Sequence, residues 1–165
     1  MLLIWAATQV GGGAAPIARR SSAPAVVTFD AVRTWYNYPV VLNDAGNLYA
    51  GSVSANGSVQ VNKTNAIDTS AFTLAAALEV DDHDDATLLK LPSGKLSCFY
   101  SKHSTDGLIR YRLATNALPD IAAFAAEKSF NDGQVSYTAP FLLSDNNVRV
   151  YYRKINGATL PRKMA

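Results

Sequence analysis

His83-Asp84-Asp85-Ala86-Thr87-Leu88-Leu89-Lys90-Leu91-Pro92-Ser93-Gly94-Lys95-Leu96-Ser97-Cys98-Phe99-Tyr100 decides the fold. A polar opening leads into an apolar run, a Pro-Ser-Gly turn and a second apolar run, the signature of a β-hairpin. The same order recurs at Tyr36-Asn37-Tyr38-Pro39-Val40-Val41-Leu42-Asn43-Asp44-Ala45-Gly46-Asn47-Leu48-Tyr49. It returns a third time from Tyr137 through Pro140, Asp145 and Asn146 to Tyr152. The three starts are spaced by 47 and 54 residues. Two further strand candidates follow each of the first two hairpins, at 57–63 and 71–79, then at 108–114 and 125–130. Four antiparallel strands in about 45 to 50 residues, repeated, is the arithmetic of a β-propeller blade. A sandwich of about ten short strands is the rival, but it gives no reason for the repeat.

The expected fold is therefore all-β, built of propeller blades of four antiparallel strands, with about two and a half to three blades present. Blade units fall at 30–80, 81–131 and 132–165, within a partial propeller spanning 26–165. Ser54-Ala55-Asn56-Gly57 and Ser104-Thr105-Asp106-Gly107 join strands two and three of their units. Both supply turn formers suited to positive φ. They resemble degenerate Asp-box turns of sialidase-type propellers. A closed propeller has typically four to eight blades, so the ring needs more blades, from a longer chain or from copies in a homo-oligomer.

Residues 1–25 read as a strand and linker: Leu2 to Val10 is apolar, and Gly11 to Ala25 is rich in Gly, Ala, Ser and Pro. No positively charged n-region precedes the apolar run, so a secretory signal is not expected. The charges nearly cancel, 15 Lys plus Arg against 13 Asp plus Glu, and the basic residues are scattered. A polybasic nucleic-acid binder is excluded on that ground. No apolar run reaches the length of a membrane span. Cys98 is the single cysteine, so neither a disulfide framework nor a cysteine-built zinc site is available. It is expected to be a buried thiol.

Between Asp30 and Arg153 the chain resembles the BNR-repeat propellers that include the ulvan lyases. The residues carrying this are Thr34-Trp35-Tyr36-Asn37-Tyr38-Pro39, Leu48-Tyr49-Ala50-Gly51, and Asp81-Asp82-His83-Asp84-Asp85. Leu91-Pro92-Ser93-Gly94-Lys95-Leu96, Phe99-Tyr100-Ser101-Lys102-His103 and Arg110-Tyr111-Arg112 follow in order. Where those relatives commonly carry Asn-Asn-Pro after the histidine, this chain has Asp84-Asp85-Ala86. The resemblance implies a carbohydrate-active propeller that cleaves uronate-containing, ulvan-like polysaccharides by β-elimination. An acidic polysaccharide is then the partner, and an extracellular or virion-associated location is expected over a cytoplasmic one.

His83 and His103 are the only histidines, one before the first strand of the second hairpin and one after its second strand. In an antiparallel hairpin those two positions share one edge, so both imidazoles can face the same end of the propeller. Tyr36 and Tyr137 occupy the His83 position in the neighbouring units. The resemblance implies catalytic roles for His83, His103 and Tyr137. Substrate binding is assigned to Tyr36, Asn37, Arg110, Arg112 and Arg153, since a guanidinium grips carboxylate or sulfate bidentately.

Plainer readings stand beside these. A histidine at a strand mouth often only bonds a loop. Asp81, Asp82, Asp84 and Asp85 could hold Ca²⁺ through oxygen ligands, or form a solvated turn of carboxylates; no other metal or cofactor is expected. The alternative function is a non-catalytic glycan-binding or structural propeller module, as in a phage tail or cell-surface protein, or an inactive truncated fragment.

Overall fold

The computed structural model describes residues 30–32, 37–65, 67–155 and 162–164. The segment 1–25 and Tyr36 lie outside the described residues. The chain is all-β, in three antiparallel sheets. The first runs β1 (Val41–Asp44), β2 (Asn47–Val53), β3 (Val59–Thr64) and β4 (Thr69–Ala75), in that spatial order. The second repeats it with β5 (Thr87–Lys90), β6 (Lys95–Ser101), β7 (Leu108–Ala117) and β8 (Lys128–Asn131). The third holds β9 (Val135–Leu142), β10 (Val148–Lys154) and β11 (Arg162–Met164). The sheets stand side by side as propeller blades and do not close into a ring.

Local chemistry explains the hairpins. Asp44 and Asn47 pair across a two-residue loop whose Ala45 and Gly46 have φ of 48° and 83°, matching the twist of the flanking strands. In the Ser54–Ser58 turn, Gly57 sits at φ 79°, and Ser58 N–H donates to Asn56 Oδ1 at 3.0 Å. Leu108 N–H donates to Asp106 Oδ1 at 3.0 Å, the same bond one blade later. The second turn departs from expectation in one respect. Its left-handed residue is Ser104 (φ 66°), and a Cβ on Gly107 would lie 2.6 Å from Gly133 O, so that glycine is there for close approach. Strand boundaries also differ: β4 ends at Ala75, β8 starts at Lys128, and the third strand of the last sheet falls at Arg162–Met164.

The middle sheet is buried on both faces, and its strands alternate accordingly. Leu96, Cys98 and Tyr100 of β6 pack with Leu88 against Tyr49, Val59, Val61 and Leu74 of the first sheet. Phe99 of β6 and Ile109 of β7 point the other way, against Val135, Val150 and Tyr152 of the third. Cys98 is the expected buried thiol, its pKa pushed up by burial. The innermost strands β5 and β9 are pinned by a hydroxyl pair: Thr87 Oγ1 and Thr138 Oγ1 lie 2.7 Å apart, and Thr138 Oγ1 also donates to Phe99 O. That pinning sets Tyr137 beside the residues that precede β5.

Candidate functional site

Residues 81–85 fold tightly because Asp81, in extended backbone, caps a single 3₁₀ turn over Asp82–Asp84 and accepts from His83 N–H. Asn37 secures this turn from below. Its Nδ2 donates to His83 O at 2.9 Å and to Asp85 O at 3.2 Å, and it also bonds Asp85 Oδ1. His103, just beyond β6, is held by its own N–H donating to Glu79 Oε2 at 2.9 Å. The hairpin thus brings both histidines to one edge. Their rings stack with centroids 3.9 Å apart and planes 22° from parallel.

Tyr137 completes the cluster, its ring 5.2 Å from that of His83 and 5.6 Å from that of His103. Its hydroxyl lies 3.3 Å from His103 Nε2. The ladder between β9 and β10 slips here: Tyr151 pairs Ala139 but Arg153 pairs Ser136, and Tyr137 adopts φ 57°. A bulge re-aims a side chain, and a left-handed bulky residue costs on the order of 1–3 kcal/mol that the surrounding packing must offset. Arg153 lies over the Tyr137 ring, its Cζ 4.3 Å from the centroid, and its Nη2 donates to Ser104 Oγ at 3.0 Å. Its Nε, also buried, has no hydrogen-bond partner among the described residues.

The four aspartates are not a solvated turn. Asp81 faces both histidines, its Oδ1 2.5 Å from His83 Nδ1 and its Oδ2 3.0 Å from His103 Nδ1. Burial pushes its carboxyl up, but hydrogen bonds from His83 and His103 outweigh that and hold it below the usual range. Asp82 Oδ1 lies 2.9 Å from His83 Nδ1. Asp84 and Asp85 are fully buried. Among the described residues no hydrogen-bond donor other than a shared proton with Glu79 reaches the Asp84 oxygens, and burial, reinforced by the Glu79 and Asp81 carboxylates, pushes the Asp84 pKa up to about 8.

His83, His103, Tyr137 and Arg153 are therefore brought together, with Asn37 beneath them as a clamp on the turn. Arg110 and Arg112 stand instead on β7, beside Tyr100. Arg110 grips Asp106 through both guanidinium nitrogens, at 3.2 and 2.6 Å, and lies 3.7 Å from Glu127. Sequence reading named Asp81 only among four aspartates that could hold Ca²⁺, not as the partner of both histidines; the signal for that was its place two residues before a histidine at the cap of a turn. Nor did it assign Glu79, which only the fold brings beneath His103. A separate cleft of about 420 Å³, lined by Phe99, Tyr111, Phe130 and Val150 among others, shares no residue with the cluster. Its lining is mostly apolar, with Tyr111 its one titratable side chain, whereas the cluster joins two imidazoles and a phenol.

No protein-family model matches the chain, and no curated protein matches it. Solved structures do. One is described as a new family of polysaccharide lyase, PL25 ulvan lyase; it superposes with a TM-score of 0.60 at 14% identity over 78% of this chain and 36% of that one. Another is that lyase bound to -[GlcA(1-4)Rha3S]-, with a TM-score of 0.57 at 12% identity, over 76% of this chain and 33% of that one. This chain spans about a third of the length of those structures. The likeness is one of fold, and it supports a polysaccharide-lyase-like propeller. It lends nothing to the BNR-repeat or sialidase side of the resemblance.

Proposed function

We propose that this chain carries the proton-transfer site of a lyase acting on a uronate-containing acidic polysaccharide. The observation carrying the proposal is the convergence of two stacked imidazoles, a phenol and a guanidinium within one cluster. β-Elimination at a uronic acid makes three demands. The carboxylate must be neutralised, the C5 proton must go to a base, and the departing O4 must receive a proton. Arg153 supplies the cation, and Tyr137, His103 and His83 supply a phenol and two imidazoles, groups able to donate and accept protons. The fold of solved ulvan lyases supports the same reading. Incubation with a uronate polysaccharide should generate the absorbance of an unsaturated uronate. His83→Ala should slow it by roughly 10²- to 10⁴-fold, the usual contribution of an acid–base group. Unchanged turnover would remove His83 from the mechanism.

A glycan-binding module without turnover is the second reading, supported by Asp84-Asp85-Ala86 standing where the resembled lyases commonly carry Asn-Asn-Pro after the histidine. Saturable binding of the polysaccharide with no unsaturated product would favour it.

A further inference from the structure

One carboxylate meets both imidazoles. Asp81 Oδ1 lies 2.5 Å from His83 Nδ1, and Asp81 Oδ2 lies 3.0 Å from His103 Nδ1. An ionised carboxylate only accepts hydrogen bonds, so a neutral ring facing it must carry its proton on Nδ1. We propose that Asp81 is a positioning residue that fixes both histidines as Nδ1–H tautomers and so makes His103 Nε2 an acceptor for the Tyr137 hydroxyl. Asp81, His103 and Tyr137 then form a chain with one direction of proton flow. The phenol proton passes to His103 Nε2, and the imidazolium keeps its Nδ1–H on Asp81. The phenolate is left beside the Arg153 guanidinium, 4.3 Å from the ring centroid. Return of the proton restores the starting state, and no other reactant is needed. This inference concerns protonation states and holds whichever ligand the site takes.

Asp81, His83 and His103 also make up a donor set whose ligand atoms lie within 4.8 Å of one another. A tetrahedral ion needs lone pairs that converge on one point. With ring planes 22° from parallel, the two Nδ1 atoms aim side by side at different oxygens, His103 Nδ1 at Asp81 Oδ2 and His83 Nδ1 at Asp81 Oδ1 and Asp82 Oδ1. The arrangement suits two N–H donors better than one ion.

The chain has only two histidines, so ¹⁵N spectra of the histidine-labelled chain resolve the question directly. At about pH 8, where an unperturbed imidazole is neutral, both rings should carry the proton on Nδ1. In Asp81→Asn the amide offers one acceptor and one NH₂ donor, but Asp82 Oδ1, 2.9 Å from His83 Nδ1, can still hold that ring's proton; in Asp81→Asn/Asp82→Ala at least one ring should switch to the Nε2–H form. Asp82→Asn should leave both rings as they are. If the double variant does not fold, the wild-type spectrum still decides. A wild-type ring in the Nε2–H form would overturn the proposal, and so would an unchanged tautomer pair in folded Asp81→Asn/Asp82→Ala. Loss of both Nδ1 protons on adding equimolar Zn²⁺ would overturn it too, by making the three groups a metal site.

Discussion

The imidazoles of His83 and His103 stack at 3.9 Å, although twenty residues of hairpin separate them in the chain. The contact follows from antiparallel pairing: Thr87 faces Phe99 at one end of the β5–β6 ladder, and Lys90 faces Leu96 at the other. The residue before β5 and the residue after β6 must then emerge together. The site is thus a product of the blade repeat itself, and its integrity depends on how the blades pack.

That dependence is sharpest at Gly51. A Cβ there would lie 1.7 Å from Ala86 O, a backbone atom that cannot swing aside. Gly51→Ala should force β2 away from the segment leading into β5. Overpacking of this kind costs about 1–3 kcal/mol or more. Urea titration should show a lower midpoint with little change in slope. An unchanged midpoint would mean that the first two blades do not meet as described.

Arg110 should matter for stability before it matters for ligand binding. Its guanidinium is nearly buried, and Asp106 and Glu127 meet it there. Asp106→Asn removes the nearer of the two charges that compensate this cation, a charged hydrogen bond worth about 1.5–3 kcal/mol. Thermal unfolding should shift down strongly. An Asp106→Asn chain of wild-type stability that binds anionic sugar more tightly would instead make Arg110 a ligand group held in reserve.

Asp84 predicts a pH effect of unusual sign. Its folded pKa is raised to about 8, so the folded state holds a proton that the unfolded state releases near pH 4. Stability from this group is fully present below about pH 4 and is lost as pH rises towards 8. Asp84→Asn is neutral at every pH, so its stability relative to wild type should improve steadily across that window. Asp106 works in the opposite direction. Burial opposes its charge, but hydrogen bonds from Arg110 and Leu108 N–H hold its carboxyl low. That contribution is present above the unfolded pKa near 4 and is lost as pH falls through the lower folded one. Chemical denaturation of wild type and Asp84→Asn at pH 4, 6 and 8 separates the two; parallel curves would contradict the placement of Asp84.

Much of this was legible in the sequence, for identifiable reasons. Asp44 to Asn47 and Leu91 to Lys95 carry turn residues at positions that hairpins demand, so the repeat and the meeting of His83 with His103 could be read directly. Tyr137 was placed by analogy with its neighbours, but the bulge that turns it towards His103 comes from a register slip against β10, which no local pattern encodes. Arg110 and Arg153 look alike in sequence. Only burial and pairing reveal that one grips Asp106 and the other lies over Tyr137. The run of aspartates read as solvated because charge is usually exposed; Asn37, 46 residues before His83, is what allows Asp85 to be buried.

The central claim is elimination at the His83–His103–Tyr137–Arg153 cluster, and mass spectrometry of products formed in H₂¹⁸O tests it most directly. Wild-type chain acting on a uronate oligosaccharide should yield products with an unsaturated, ¹⁸O-free uronate at the new non-reducing end, because elimination adds no water there, and Tyr137→Phe should yield none. Saturated products, each cleavage having added one water, would make the site hydrolytic, and a folded wild-type chain that yields no product at all would contradict the account.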